Sequence, residues 1–373
     1  MKKFLILLIS PLIFYAQDVN FDNYNNWLNP SEMSMKIIPV KDNIYMIEGI
    51  GGGFGNVGVF VGQKGIVMID NSFEILEELL NDAIAKISKK PISYIINTHY
   101  HFDHADGNRY YGKKGTPIVS HRNVRTRQSE ITTAYGGIFD LLKNFNVPAH
   151  GIDELPTITY ENTMNLHEGN ETISIHYFGK GHTDGDSVIK FNNANVVHTG
   201  DSFILYGLPF IDITNGGSIK GFIESLDDIV GICDEDTIII PGHGGLSNVE
   251  SVIKMRDYLK LYYDSTIDGH KKGLSVEEAD SVLKVDLKEA YEKKQIKFAG
   301  YADEDGVFRY TTKSGTVIEK RVLKKMVNRL PSHRLLNDTW VFSKSLKYLE
   351  FGMPFTLGNV IFISDVNETN DFR

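Results

Sequence analysis

The sequence predicts an α+β fold in which two β-sheets pack face to face and carry helices on their outer faces. Three observations predict it. Strand-like apolar runs fall into two groups, at residues 37–70 and 163–199, each followed by a stretch with apolar residues at helical spacing. Glycine and polar turn residues punctuate both groups. A chain of 373 residues with 42% hydrophobic content is long enough to fill a full-sized core, and to form two domains.

Taken in order, IYMIEG, VGVFVG and GIVMID read as strands between Ile37 and Asp70. Asn71 and Glu74 stand three apart, the spacing of a capping box. Behind them Ile75, Leu76, Leu79, Leu80, Ala83, Ile84 and Ile87 mark a helix that ends near Lys90–Pro91. ISYIIN reads as a buried strand and runs directly into THYHFDHADGN, residues 98–108. PIVS at 117–120 is a strand, and 121–145 is expected to be mostly helix with a break at Gly136–Gly137. Residues 163–178 and 187–199 read as antiparallel strands. Residues 218–233 form an amphipathic helix through Ile219, Phe222, Ile223, Leu226, Ile229 and Val230. TIII is a strand ending at Pro241. Charged helices are expected at about 249–264 and 275–294, then a hairpin, VFRYTTKSGTVIEKRV, turning at Ser314–Gly315. The last forty residues suggest no particular element.

The first sixteen residues have the pattern of a secretory signal. Lys2 and Lys3 precede an apolar run from Phe4 to Ile9 that resumes at Leu12, and Ala16 offers a cleavage point. The run is short for a membrane span of about 20 residues. The mature protein is therefore expected to be exported, either periplasmic or secreted, with no integral membrane segment. Its net charge of −9 becomes −11 once Lys2 and Lys3 are removed. That balance argues against nucleic acid as a partner. Cys233 is the single cysteine, so neither an internal disulfide nor a thiolate metal cluster can form. Any metal site must use histidine and carboxylate.

Gly53, Gly55 and Gly58 match the spacing of a dinucleotide-binding fingerprint. That motif needs a helix after it, and VGVFVG reads as a strand, so the stretch is better taken as a glycine-rich hairpin tip carrying Phe54.

The chemistry lies in the histidines. His99, His101, Asp103 and His104 follow a buried strand in a segment too short for a helix. Alternation sends His99 and His101 to one side, where their imidazoles can share a cation, while Asp103 and His104 lie further round and can hold a second. Three more apolar runs carry a metal-capable residue at or just past their ends: His182 in GKGHTDGD, Asp201 in HTGD and His243 in PGHGG. In a layered sheet such ends can converge on one rim. His198 is a candidate to support this site from behind. Asp184 and Asp186 read as turn formers.

Together THYHFDH, GHTDGD, HTGD and PGHG, in that order, resemble the metallo-β-lactamase superfamily over about residues 36–262. The resemblance implies a four-layer αββα sandwich with two zinc ions along one edge. His99, His101 and His182 would bind the first ion, Asp103, His104 and His243 the second, and Asp201 would bridge them. It also implies a hydrolase that attacks with a metal-bound hydroxide, zinc lowering the pKa of water from 15.7 to about 7. Asp103 is the candidate to orient the nucleophile and relay its proton. On this reading residues 1–16 are the signal, 17–35 a lead-in, 36–262 the catalytic domain and 263–373 a C-terminal extension.

The substrate class follows less directly. The best-known β-lactamase branch places cysteine where Asp201 stands and lysine where Ile204 stands. A bridging aspartate is similar instead to glyoxalase-II-like and lactonase relatives, of which export disfavours the glyoxalase. Gly49–Gly58 corresponds to a mobile flap in β-lactamases, with Phe54 facing an apolar substrate. Phe203, Tyr206 and Phe210, in FILYGLPF, offer an apolar wall. The expected activity is hydrolysis of a small ester, lactone or amide-like bond. A β-lactamase is the alternative, and a metal-binding or di-iron redox protein without hydrolytic turnover, the di-iron form expected to carry glutamate in place of His101, is the alternative of another class. Oligomeric state is left open.

Overall fold

A computed structural model describes residues 29–51, 54–133, 145–205 and 209–274, and beyond them the backbone of short strands between Tyr301 and Ile363. Strands β1 (Ser34–Lys41), β2 (Ile44–Ile50), β3 (Val57–Val61) and β4 (Ile66–Ile69) form an antiparallel meander. Helix α1 (Glu77–Ile87) then crosses to β5 (Ile92–Ile96), which lies parallel to β4. Short helices α2 (Phe102–Ala105) and α3 (Asn108–Lys113) lead to β6 (Ile118–His121), again parallel. Helix α4 (Arg122–Gln128) and a two-residue pair, β7 (Thr132–Thr133) with β8 (Asn146–Val147), precede β9 (Ile158–Tyr160), which completes a seven-stranded sheet beside β6.

The second sheet has six strands. β10 (Thr163–Glu168), β11 (Glu171–His176), β12 (Val188–Phe191) and β13 (Val196–His198) are successive antiparallel neighbours. Helix α5 (Ile219–Gly231) crosses to β14 (Ile238–Ile240), parallel to β13, and β15 (Ser247–Asn248) turns back along it into helix α6 (Val249–Lys271).

Alternation along the strands explains the layers. Val67 and Ile69 of β4, Ile96 of β5 and Val119 of β6 point to the middle, where they meet Ile173, Ile175, Ile189, Phe191 and Val196 of the second sheet. Their neighbours Ile66, Met68, Ile95 and Ile118 point outward onto Leu80, Ala83 and Ile84 of α1. On the far side Val188, Val197 and Ile239 pack under Ile219, Phe222, Leu226 and Ile229 of α5 and Val252, Met255 and Leu259 of α6. Burial of each such side chain contributes about 1.5–3 kcal/mol. The result is the expected α+β sandwich, helix on sheet on sheet on helix. Cys233 is half-buried against the outer cluster, as a packing residue.

Several expectations are corrected. No Asn71–Glu74 capping box forms: Asp106 Oδ2 accepts the Glu74 N–H at 3.1 Å, while the Asn71 amide donates to Asn108 Oδ1 at 2.6 Å. The cap comes from the next motif because Asn71 is drawn toward it, its own N–H bonding His104 O at 2.8 Å. The helix expected over 121–145 ends at Gln128, where Ser129 caps it through carbonyls of the last turn and the β7 strand follows; Gly136–Gly137 lies outside the described residues. Helix α6 continues past residue 264 to Lys271, because Ser265, Thr266 and Gly269 keep its buried face going. The two strands of the expected hairpin pair, with Thr311 opposite Val317 in β17 (Val307–Thr311) and β18 (Val317–Arg321), after β16 (Tyr301–Ala302), and the turn expected at Ser314–Gly315 lies outside the described residues. The helix expected at 275–294 lies outside the described residues.

Candidate metal centre

All seven proposed ligand side chains gather at one edge of the sandwich, beyond the ends of β4, β5, β13 and β14. The strand β5 stops at Ile96, and the chain turns through His99 to His101, which begins the one-turn helix α2. Asp103 and His104 therefore sit in a helical turn, contrary to expectation, which leaves the His104 ring 4.2 Å from that of His99. His182 comes from the loop between β11 and β12, Asp201 from a 3₁₀ turn after β13, and His243 from the loop after β14.

Their donor atoms form two trios that share a carboxylate. His101 Nδ1 lies 3.0 Å from His99 Nε2 and 2.9 Å from His182 Nε2. His243 Nε2 lies 3.2 Å from His104 Nε2 and 3.3 Å from Asp103 Oδ2. Asp201 reaches both groups, with Oδ2 3.6 Å from His182 Nε2 and Oδ1 3.2 Å from His104 Nε2. All seven residues are buried.

A cation fits this arrangement. Nitrogen lone pairs aimed at one another across about 3 Å repel unless a proton or metal ion lies between them. Asp103 Oδ1 is buried without a hydrogen-bond partner, an expensive state for a carboxylate oxygen unless it faces positive charge. Burial, helped by the neighbouring histidines, holds the His99 imidazole well below its ordinary pKa, and burial lowers His182 to about 4. Both are therefore in the neutral form that binds metal. Burial opposes a charge on His104 too, but Asp201, Asp103 and Asp70 overcome it and raise its pKa well above the usual value.

A surrounding layer orients the ring nitrogens. His99 Nδ1 lies 3.0 Å from Thr98 Oγ1, His101 Nε2 3.0 Å from Asp212 Oδ2, His104 Nδ1 2.8 Å from Asp70 Oδ2 and His182 Nδ1 2.6 Å from Phe210 O. Each contact leaves the opposite nitrogen facing its trio. Asp70 and Asp212 escaped sequence reasoning. Asp70 ends the GIVMID strand, an available signal, and adopts the left-handed region (φ 60°), which swings its carboxylate beneath Thr98 and His104. Asp212 follows Phe210 in a stretch with no periodic pattern, and its proximity to His101 arises only in three dimensions.

The other candidates divide. Phe210 lies beside the first trio, its ring 6.1 Å from that of His101 and 5.9 Å from that of His182. Phe54 is no open flap residue: it is buried among Met33, Phe73, Leu76 and Phe102, because the hairpin tip folds down onto the region before α1. Phe203 is fully buried in the outer core under α5 and lines no wall. Tyr206 lies outside the described residues. His198 touches no proposed ligand side chain in its hydrogen bonds; it links Asn56 O (3.2 Å) with Gly200 N (3.2 Å). Asp184 pairs with Arg127 at 2.7 Å, and Asp186 accepts the Thr183 N–H at 3.0 Å, both shaping the turn as expected.

The model of the metallo-β-lactamase superfamily matches residues 50–243, more than half of the chain. The chain belongs to the metallo-β-lactamase superfamily. A metallo-β-lactamase type 2 of Bacillus cereus is 22% identical over 202 residues, 53% of this chain and 70% of that protein. Among solved structures, a metallo-β-lactamase from Pontibacter korlensis has 15% identity and a TM-score of 0.48, covering 61% of this chain and 99% of the other. A variant of the sec-alkyl sulfatase PisA1 has 14% identity and a TM-score of 0.51, covering 66% of this chain and 45% of the sulfatase. The superfamily consists generally of metal-dependent hydrolases, and the His- and Asp-lined edge of this member fits that chemistry. Among the described residues no helix is long and apolar enough to cross a membrane.

Proposed function

We propose that this protein is an exported hydrolase that takes two zinc ions and cleaves a small ester, lactone or amide-like bond with water. The observation that carries the reading is the position of Asp201, one carboxylate within 3.6 Å of a histidine in each of the two trios. His99, His101 and His182 would hold one ion and Asp103, His104 and His243 the other. Bound there, zinc makes hydroxide available near neutral pH and polarises the substrate carbonyl.

The chain's own groups divide the remaining work. Burial pushes the Asp103 carboxyl upward, but His104 and His243 outweigh it and keep the group ionised at neutral pH. Its Oδ1, buried and without a partner, would accept a proton from an attacking water and pass it to the leaving group. Phe210 offers an apolar edge beside the first trio for the non-reacting part of a substrate. Export is supported by the charged and apolar pattern of residues 1–16 and tested by whether the secreted chain begins at Gln17.

The test of the reaction is steady-state turnover of the zinc-loaded mature protein on a lactone, an aryl ester and a chromogenic cephalosporin, with and without a chelator. Chelator-sensitive kcat/KM above about 10⁴ M⁻¹s⁻¹ on the ester or lactone is the expected result. The similarity to the Bacillus cereus β-lactamase favours a second reading, and that value on the cephalosporin alone would transfer the assignment to it. Bound iron without any hydrolysis would overturn both.

A further inference from the structure

We infer that the Gly55–Asn56 step at the tip of the β2–β3 hairpin is a positioning device for the Asp103–His104–His243 trio and sets how tightly that trio holds its cation. The inference rests on the proposed two-metal reading.

The hairpin reaches all three members of the trio. His243 sits in the loop Pro241–Gly244, where Asn56 takes three of the four carbonyls. Its Nδ2 donates to Pro241 O at 2.8 Å and Gly244 O at 2.7 Å, and its backbone N–H donates to Gly242 O at 2.7 Å. The fourth, His243 O, accepts from Leu205 N at 3.0 Å. One amide thus brackets the histidine on both sides and fixes the peptide planes from which its ring projects. Gly55 N–H donates to Asp103 O at 3.1 Å, tying the tip to the second member. The third is held by contact: a Cβ built on Gly55 would come within 2.2 Å of His104 Cε1, so the bare glycine backbone lies directly on that imidazole.

The device is braced from behind. His198 Nε2–H donates to Asn56 O at 3.2 Å, and its Nδ1 accepts from Gly200 N–H at 3.2 Å, which couples the hairpin to the turn carrying Asp201. Asn56 is only 2% exposed, so its amide cannot exchange these carbonyls for water without opening the hairpin. The first trio is oriented by different groups, Thr98, Asp212 and Phe210 O. Loosening the hairpin should therefore act chiefly on one cation site and reach the other only through the shared Asp201 and the His99–His104 contact. A glycine-rich tip that looks built for mobility is, at these two residues, a clamp.

The test is Co²⁺ titration of the metal-free full chain against a chromophoric chelator, with the visible ligand-field spectrum followed at each equivalent. Wild-type protein should take two equivalents. Asn56→Ala should weaken the second by about 10- to 100-fold, the usual cost of removing a group that orients a ligand, and change the first equivalent and its spectrum far less. Asn56→Asp, similar in size but lacking the donors, should behave the same way. Should Asn56→Ala fail to fold, Gly55→Ala decides, because it removes no side-chain hydrogen bond and acts by pressing on His104. A second equivalent bound as tightly as in wild type by the folded variants would overturn the inference, as would equal weakening of both equivalents. Wild-type protein taking up fewer than two equivalents is a separate failure, that of the two-metal reading beneath it.

Discussion

Asp212 Oδ2 lies 3.0 Å from His101 Nε2 and accepts Tyr100 OH and, at 2.9 Å, the Asn215 amide as well. Burial would push this carboxyl up, but His101, Tyr100 and Asn215 together hold it below the ordinary aspartate value. The fixed negative charge requires the proton of His101 on Nε2, and so frees Nδ1 for the trio with His99 and His182. Asp212→Ala should therefore weaken the first cation equivalent by about 10- to 100-fold, with the Gly55–Asn56 side unaffected. Tyr100→Phe keeps the carboxylate–imidazole contact and should cost much less. Chelator competition on both variants checks the order, and equal affinities for Asp212→Ala and wild type would reduce the contact to packing.

His101→Ala removes a donor from the first trio and leaves Asp212 with Tyr100 and Asn215 as partners. Hydrolysis should fall to the background of the assay while the far-ultraviolet circular dichroism stays that of the wild type. Full retained turnover would show that the reaction does not pass through these histidines.

Phe54 is 4% exposed and meets Phe73 edge-on with ring centroids 6.3 Å apart. Phe54→Ala should act as a core truncation, lowering unfolding stability by about 3–5 kcal/mol, with KM changing less than twofold. Urea unfolding and steady-state kinetics on the same preparation separate the two effects. A raised KM at unchanged stability would put the ring over the substrate after all.

What could be read before folding differs sharply from what could not. The strands and their grouping were legible because strands buried on both faces read as short continuous apolar runs, as in GIVMID, ISYIIN and TIII. The ligand-type residues were legible because they stand at or past the ends of such runs, in short polar motifs. The supporting groups were not, since Asp212 meets His101, and Asn56 meets Pro241 and Gly244, across more than a hundred residues of chain. The errors at Phe54 and Phe203 have one cause. Aromatic residues next to a site carry the same local signal whether they face the substrate or the core, and only the packing of Phe73 and Phe102 against the first, and of the outer core around the second, decides.

His198 should make stability depend on pH. Burial, with the charge on His104 adding to it, lowers its pKa from the ordinary 6.5 to about 4. The geometry agrees: Nδ1 accepts from Gly200 N–H, so a second ring proton would have no place to go without breaking that bond. The sign follows from linkage. Between pH 6.5 and 4 the unfolded chain takes up a proton at this histidine before the folded one does, so the folded state loses ground as the medium is acidified. The contribution is fully present above about pH 6.5 and is lost as pH falls toward 4, to an extent of about 3 kcal/mol. Other buried histidines, such as His150, add their own slope, so the informative quantity is a difference. Metal-free wild-type protein and His198→Gln should be unfolded in urea at several pH values across this window. The variant should show the shallower loss of stability on acidification, because it has one fewer group to charge. Parallel curves for the two proteins would mean that His198 titrates normally in the folded state and that its bond to Gly200 is not held.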